Sequence, residues 1–277
     1  MIQTLYAREI YLPGRVLYNG RVTVENSRVT EVSENIAGEG ETFEKIFPGF
    51  VDIHMHGGNG YDVMDPTYEA INEISLYKAR EGATSFCAST ITSPMDELKG
   101  AVENIAKAID RGVDGARIIG IFLEGPYINK KYKGAHVEEL IRDISIPEID
   151  ALLEAGRGHV KSVAVAPELP GALEAIEYLT GKGIKVSLGH SGGTYEEVLK
   201  GIDKSGSIAI HTFNAMSPLA HRHPGMVGAV LSNDRIYGEL ICDLIHVNPG
   251  AMKVLCRSKG VDKIVLVTDC ICAGGLP

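Results

Sequence analysis

Two histidines one residue apart, His54 and His56, close the apolar run Phe50–Ile53 and are followed by Gly57-Gly58. Side chains alternate along a strand, so both imidazoles point to one face and could share a metal ion. Similar residue types end other short apolar runs. Glu124 follows Ile118–Leu123, His190 follows Val186–Gly189, and His211 follows Ile208–Ile210. Asp243 and His246 follow Tyr237–Ile241, and Asp269 follows Val265–Thr268. Each has an ordinary explanation when taken singly: a satisfied core histidine, a capping glutamate, a turn aspartate. Six runs ending this way are harder to ascribe to loop chemistry. Mixed imidazole and carboxylate donors suit Zn²⁺, Fe²⁺, Mn²⁺ or Co²⁺, with zinc the first expectation. Donors from several strand ends with a carboxylate to spare describe a catalytic centre rather than a closed structural one. Such an ion lowers the pKa of bound water to about 7 and polarises a carbonyl oxygen. A nearby carboxylate, for which Asp269 is the candidate, would take the water proton and return it to the leaving group.

These residues need a scaffold that brings strand ends together. From Ile46 onward, apolar β-branched runs alternate with helical patterns. The runs are Phe50–Ile53, Thr84–Ala88, Ile118–Leu123, Val160–Ala166, Ile184–Leu188, Ile208–Ile210, Tyr237–Ile241 and Ile264–Val267. Ser93-Pro94 reads as N-cap and first helical residue before Met95–Ile109. Thr194 to Glu197 reads as a capping box. Asn248-Pro249 opens a further helix closed by Gly260, and Pro147 opens one ending near Gly156. Continuously apolar strands between helices mean a parallel sheet covered on both faces. Eight of them predict an α/β fold, a (β/α)₈ TIM-type barrel, whose C-terminal strand ends form one active-site face. No G-x-G-x-x-G follows a strand, so a dinucleotide fold has no support. Residues 1–45 differ: short β-like pieces are broken by Pro13-Gly14, Asn19-Gly20 and Glu25-Asn26-Ser27. Asn19-Gly20 is a hairpin signal. This stretch predicts part of a small β layer beside the main domain, residues 46–277.

A net charge of -9 argues against an extended nucleic-acid surface, while leaving room for a small basic pocket that binds one phosphate. No apolar run is long enough to span a bilayer, and no signal peptide is legible, so an intracellular, soluble, cytoplasmic protein without membrane partners is expected. The five cysteines are scattered and odd in number, which fits reduced thiols better than a disulfide framework. Cys270 and Cys272 read as small core residues rather than thiolate ligands.

With these residues collected, the chain resembles the N-acetylglucosamine-6-phosphate deacetylases of the metal-dependent amidohydrolase superfamily. The resemblance is carried by Pro48-Gly49-Phe50-Val51-Asp52-Ile53-His54-Met55-His56-Gly57-Gly58, Leu123-Glu124-Gly125-Pro126-Tyr127, Lys133-Gly134-Ala135-His136 and Ala166-Pro167-Glu168. It continues through Gly189-His190-Ser191, His211-Thr212-Phe213-Asn214-Ala215-Met216, Arg222 with Pro224-Gly225, Asp243-Leu244-Ile245-His246-Val247 and Val267-Thr268-Asp269. The His-x-His pair and the strand-end aspartate are common to the superfamily; the Leu-Glu-Gly-Pro and His-x-Phe-Asn-Ala-Met stretches are more specific. The resemblance implies that Glu124, His190 and His211 bind the principal metal, that His54 and His56 support a second, and that Asp269 is the general acid/base. It also implies that His136 and the Ala135 backbone lie by the substrate acetamide. Asn214, Ala215, Arg222 and His246 would then hold the sugar and its 6-phosphate, for which an arginine fork is well suited. A homodimer is implied in the same way.

This sequence departs from the family pattern at Gly192-Gly193 after Ser191, at His223 after Arg222, and at Cys270 beside Asp269, where it could crowd the base. Family members also run on by roughly a hundred residues, consistent with barrels that exceed 250 residues. The expectation is a C-terminally truncated chain, a barrel lacking its last helix, with part of a small β-sandwich domain. The implied reaction is hydrolysis of N-acetylglucosamine 6-phosphate to glucosamine 6-phosphate and acetate. The alternatives are an N-acetylgalactosamine-6-phosphate deacetylase, another amidohydrolase, or an inactive fragment that binds metal or sugar phosphate.

Overall fold

A computed structural model describes residues 2–34, 38 and 40–277. The chain divides into two compact units, residues 1–50 and 51–277. In the first, β1 (Ile2–Leu12), β2 (Arg15–Glu25), β3 (Arg28–Ser33) and β4 (Glu41–Ile46) form a sheet in the order β3-β2-β1-β4. The first three are antiparallel neighbours and β4 runs parallel to β1. Ala7, Ile10, Leu17 and Val22 form its small core. Residues 1, 35–37 and 39 of the expected β region lie outside those described.

The hairpin signal at Asn19-Gly20 is corrected by the structure. The β1–β2 turn falls at Pro13-Gly14, where Leu12 pairs with Arg15. Asn19 and Gly20 lie inside β2, with Asn19 at φ +47°. A Cβ on Gly20 would sit 2.4 Å from the Ser33 carbonyl oxygen, so the glycine serves close strand approach rather than a turn.

The second unit is built on eight strands in the order of the chain: β5 (Phe50–Met55), β8 (Ala83–Thr90), β9 (Arg117–Leu123), β10 (Val160–Val165), β11 (Lys185–Leu188), β12 (Gly206–Ala209), β13 (Tyr237–Ile241) and β14 (Ile264–Val267). A short ribbon of β6 (Gly57–Gly58) and β7 (Tyr61–Asp62) follows β5. Between the strands lie α1 (Tyr68–Arg80), α2 (Met95–Arg111), α3 (Ile146–Ala155), α4 (Ala172–Gly181), α5 (Tyr195–Asp203), α6 (Gly225–Ser232) and α7 (Pro249–Lys259). The pairings from β8 to β14 are all parallel. This is the TIM-type barrel expected from the strand–helix alternation, and each of the eight apolar runs forms a strand. Among the described residues no helix follows β14.

The barrel interior holds Cys87, Phe122, Ala164 and Ile210 with Ile53 against them. The larger core lies between strands and helices, where Ile71, Ile74, Leu98, Val102, Ile105, Ile121, Leu152, Val163, Ile176 and Leu188 are buried. Thr194 and Glu197 make the predicted capping box at α5. At α2 the reading shifts by one: Pro94 precedes the helix, and the Ser93 hydroxyl donates to the Glu97 carboxylate instead of capping the backbone. All five cysteines are free, and only Cys87 is buried; burial pushes its thiol up to about 12. Cys270 and Cys272 are half-buried rather than fully buried, with Cys270 packed against the edge of the main core. Among the described residues no helix is long and apolar enough to cross a membrane.

Candidate active site

The C-terminal strand ends converge on a cavity of about 520 Å³ walled by His56, Asp62, Glu124, His136, His190, His211, His246 and Asp269 among others. Glu124, just past β9, sits at its centre. Its Oε1 lies 3.2 Å from His190 Nε2, 3.3 Å from His211 Nε2 and 3.2 Å from His54 Nε2. Its Oε2 lies 3.1 Å from His56 Nε2 and 3.5 Å from His136 Nε2. Asp269 Oδ1 stands 3.4 Å from His54 Nε2 and 3.3 Å from His56 Nε2. The donors form two groups able to hold a cation, Glu124 with His190 and His211, and His54 with His56 and Asp269.

The tautomers fit that use. His190 Nδ1 lies 2.9 Å from the Tyr132 carbonyl oxygen, which can only accept, so Nδ1 carries the proton and Nε2 presents a lone pair. His54 Nδ1 donates in the same way to the Glu239 carboxylate at 2.9 Å. His190 Nε2 and His211 Nε2 approach to 3.0 Å. Two imidazole nitrogens and a carboxylate oxygen converging this closely in a buried site are a donor set that suits a cation. A divalent ion would be held there by Glu124, His190 and His211. The residues present therefore fit a metal.

Without an ion, protons carry the balancing charge. Burial opposes the charged form of His56, but Asp269 and Glu124 outweigh it and raise its pKa to about 9. Burial likewise opposes a charged His54, which Glu124 and Glu239 nonetheless push well up. Burial would raise the Asp269 carboxyl, yet His56 and His54 hold it at about 2. His136 behaves oppositely: burial dominates and lowers its pKa. The Thr92 N–H donates to its Nδ1 at 3.3 Å and the Thr92 hydroxyl at 2.7 Å, so the neutral ring keeps its proton on Nε2, toward the cavity.

The backbone is bent to aim these groups. His190, His211, Ala215 and Asp269 take φ of +46°, +27°, +50° and +51°. Non-glycine residues in this region are uncommon, and such strain gathers where the surrounding structure over-determines a functional geometry. Gly134, at φ +57°, lets its loop pass over His190; a Cβ there would sit 3.2 Å from the ring.

Residues 46–273 match the amidohydrolase family. The chain belongs to the amidohydrolase family. It is 41% identical over 234 residues to an N-acetylgalactosamine-6-phosphate deacetylase from Escherichia coli O157:H7, covering 84% of this chain and 62% of that protein. It is also 41% identical over 232 residues to an N-acetylglucosamine-6-phosphate deacetylase from Vibrio furnissii, covering 84% of this chain and 58% of that one. Among solved structures, an N-acetyl-D-glucosamine-6-phosphate deacetylase mutant from Mycobacterium smegmatis, in complex with N-acetyl-D-glucosamine-6-phosphate, superposes with a TM-score of 0.94 at 31% identity. That match covers 100% of this chain and 72% of the other. This amidohydrolase thus spans about 60% of the length of the first two relatives.

The structure brings His54, His56, Glu124, His136, His190, His211 and Asp269 together, and places Ala135, Asn214, Ala215 and His246 on the same cavity. Arg222 is exposed in the loop before α6 and is not among the cavity walls. Cys270 packs with the hydrophobic core and lies outside the cavity lining, so it does not crowd Asp269 from that side. The Gly192-Gly193 pair has a steric reason: a Cβ on Gly192 would come within 2.4 Å of the Tyr132 ring, and one on Gly193 within 3.1 Å of Ser191 Oγ.

Sequence reasoning missed the residues that support the site. Glu239 lies in β13, and its Oε2 also accepts from the His211 N–H at 3.0 Å. Glu168 accepts from Ser191 Oγ at 2.6 Å, the Gly192 N–H at 2.7 Å and Asn129 Nδ2 at 2.8 Å, and so ties the loops beside His190. Asp62 and Thr92 were missed as well. The available signal was a charged residue inside an apolar run, as at Glu239 in Tyr237-Gly238-Glu239-Leu240-Ile241.

Proposed function

We propose that this amidohydrolase removes the acetyl group of N-acetylglucosamine 6-phosphate, giving glucosamine 6-phosphate and acetate. The observation that carries the reading is the arrangement around Glu124: it holds one cation-binding group with His190 and His211, touches His54 and His56 of the other, which includes the ionised Asp269, and has a neutral His136 beside it. Glu124, His190 and His211 would hold the principal ion, zinc in the first instance, and His54 with His56 a second. When bound, the metal supplies a water acidic enough to be deprotonated near neutral pH and an electrophile for the amide carbonyl.

The chain supplies the rest. Asp269, ionised at neutral pH, accepts the proton of the attacking water on a carboxylate oxygen and passes it to the departing amine. His136 donates from Nε2 to the acetamide oxygen as charge develops there. Asn214 and the 134–135 and 215 backbone would orient the sugar, and His246, with Arg222 from the exposed loop before α6, would meet the phosphate. His246 is anchored for this by Asp243, whose Oδ2 lies 2.5 Å from Nδ1. Burial would raise the Asp243 carboxyl, but His246 and the backbone N–H groups of 245 and 246 hold it at about 2. A homodimer completes the reading, supported by the family resemblance.

A second substrate is favoured by a specific observation. The N-acetylgalactosamine-6-phosphate and N-acetylglucosamine-6-phosphate deacetylases are equally similar to this chain, at 41% identity each. Acetate release from the two sugar phosphates, compared at metal-replete conditions with unphosphorylated N-acetylglucosamine, tests both. The reading predicts turnover of N-acetylglucosamine 6-phosphate that is lost without the phosphate. Preferential turnover of the galacto epimer would reassign the substrate, and equal turnover of the unphosphorylated sugar would overturn the phosphate requirement.

A further inference from the structure

The barrel sheet runs from β5 at one end to β14 at the other. The seam between these strands is closed by Asp52, in the middle of β5. Its Oδ2 accepts from Lys78 Nζ of α1 at 2.7 Å and from the Thr268 hydroxyl at 2.6 Å. Its Oδ1 accepts from the Thr268 N–H at 3.2 Å and the His54 N–H at 3.3 Å. Lys78 Nζ also donates to Thr268 Oγ1 at 3.3 Å. The Lys78 and Asp52 side chains are 3% and 4% exposed. A buried ion pair is costly to desolvate, and apolar residues of similar volume often fill such space with no loss of stability. The bonds of this one fall on Thr268, one residue before Asp269, and on the backbone of His54. On the same seam the Asp269 N–H donates to the His54 carbonyl at 2.9 Å, and Asp269 holds φ +51°.

We propose that Asp52, Lys78 and Thr268 form a positioning clasp for Asp269. Lys78 fixes and neutralises the Asp52 carboxylate. Asp52 grips Thr268 through both its N–H and its hydroxyl. Thr268 in turn imposes the left-handed turn that aims the Asp269 carboxylate at His56. None of the three touches the reacting atoms. The inference rests on the reading of Asp269 as the proton carrier.

The test compares Thr268→Val, which deletes the hydroxyl at nearly constant shape, with Thr268→Ser, which restores it. Each is assayed for acetate release from N-acetylglucosamine 6-phosphate, for melting temperature, and for the visible spectrum of the Co²⁺-loaded protein, which reports donor geometry. Misplacing a reacting group by a fraction of an ångström predicts a kcat loss of about 30-fold or more in Thr268→Val, with KM within about twofold. A changed cobalt spectrum and a melting temperature near that of the wild type should accompany it. Thr268→Ser should recover kcat and spectrum. Wild-type kcat and spectrum in Thr268→Val would overturn the clasp, as would equal losses in both variants that follow a fall in melting temperature. If the wild type itself releases no acetate, the deacetylase reading fails. The cobalt spectra then decide the clasp alone: a change in the valine variant reversed by serine supports it, and no change overturns it.

Discussion

His54 Nδ1 lies 2.9 Å from the carboxylate of Glu239, 185 residues further along the chain. The contact fixes the proton on Nδ1 and turns Nε2 toward Glu124 and Asp269. Through its bond to the His211 N–H, the same carboxylate reaches the second donor group. Outer carboxylates of this kind set ligand orientation and basicity. Glu239→Gln keeps the shape and removes the charge. It is expected to weaken metal binding by about 10–100-fold, as measured by competition with a chromophoric chelator. Unchanged affinity would show that Glu239 is only a buried spacer.

His136 belongs to neither donor group, although its Nε2 lies 3.5 Å from Glu124. Its neutral ring, held by Thr92, presents Nε2 to the cavity, where the proposed reaction would build an oxyanion. His136→Gln should lower kcat by about 10²–10³-fold, with the metal content unchanged by elemental analysis. Thr92→Val should move kcat in the same direction by less. Loss of metal from His136→Gln would assign it to the ligand shell instead.

On the proposed two-ion site, protons and metal would compete for His56. In the metal-free protein its pKa of about 9 lies above the ordinary imidazole value. The stabilisation this pairing gives is fully present below about pH 6.5 and disappears as the pH rises through 9. Asp269, depressed to about 2, contributes the reverse way: its stabilisation is present above about pH 4 and is lost as the pH falls through 2. An ion held by His56 would need its lone pair, so uptake at pH 7.5 should release protons, and less should be released at pH 9.5. Calorimetry in buffers of different ionisation enthalpy reads this. The same proton release at both pH values would contradict it.

Lys78 and Asp52 are both deeply buried, so their pairing is not screened by solvent. Lys78→Met leaves Asp52 charged and uncompensated in the barrel wall. Such a change costs about 3–5 kcal/mol, read as a lower midpoint of urea unfolding. The double replacement Asp52→Leu with Lys78→Met should recover most of that stability. A single variant as stable as the wild type would show that the pair carries no net weight.

Much of this organisation is legible in the sequence because strand ends and donor residues coincide. The runs ending in His54, Glu124, His190, His211 and Asp269 each form a barrel strand, and the alternation with helices dictates that their ends meet. What escaped the sequence depends on contacts between distant elements. Lys78 continues the buried face of α1 through Ile71, Ile74 and Ser75, a pattern that reads as core until Asp52 is seen beside it. Glu239 and Asp52 stand inside apolar strands with no local partner to announce them. Asn19-Gly20 misled because the same residue types serve a turn or a close strand approach, and only the Ser33 carbonyl next to Gly20 decides between them.

The measurement that tests the account most directly is acetate release from N-acetylglucosamine 6-phosphate by the metal-replete protein and by Asp269→Asn. The account predicts turnover by the wild type and a fall of about 10²–10⁴-fold in the variant, with metal still bound at Glu124, His190 and His211. No release by a wild type that binds metal, or full activity in Asp269→Asn, would contradict it.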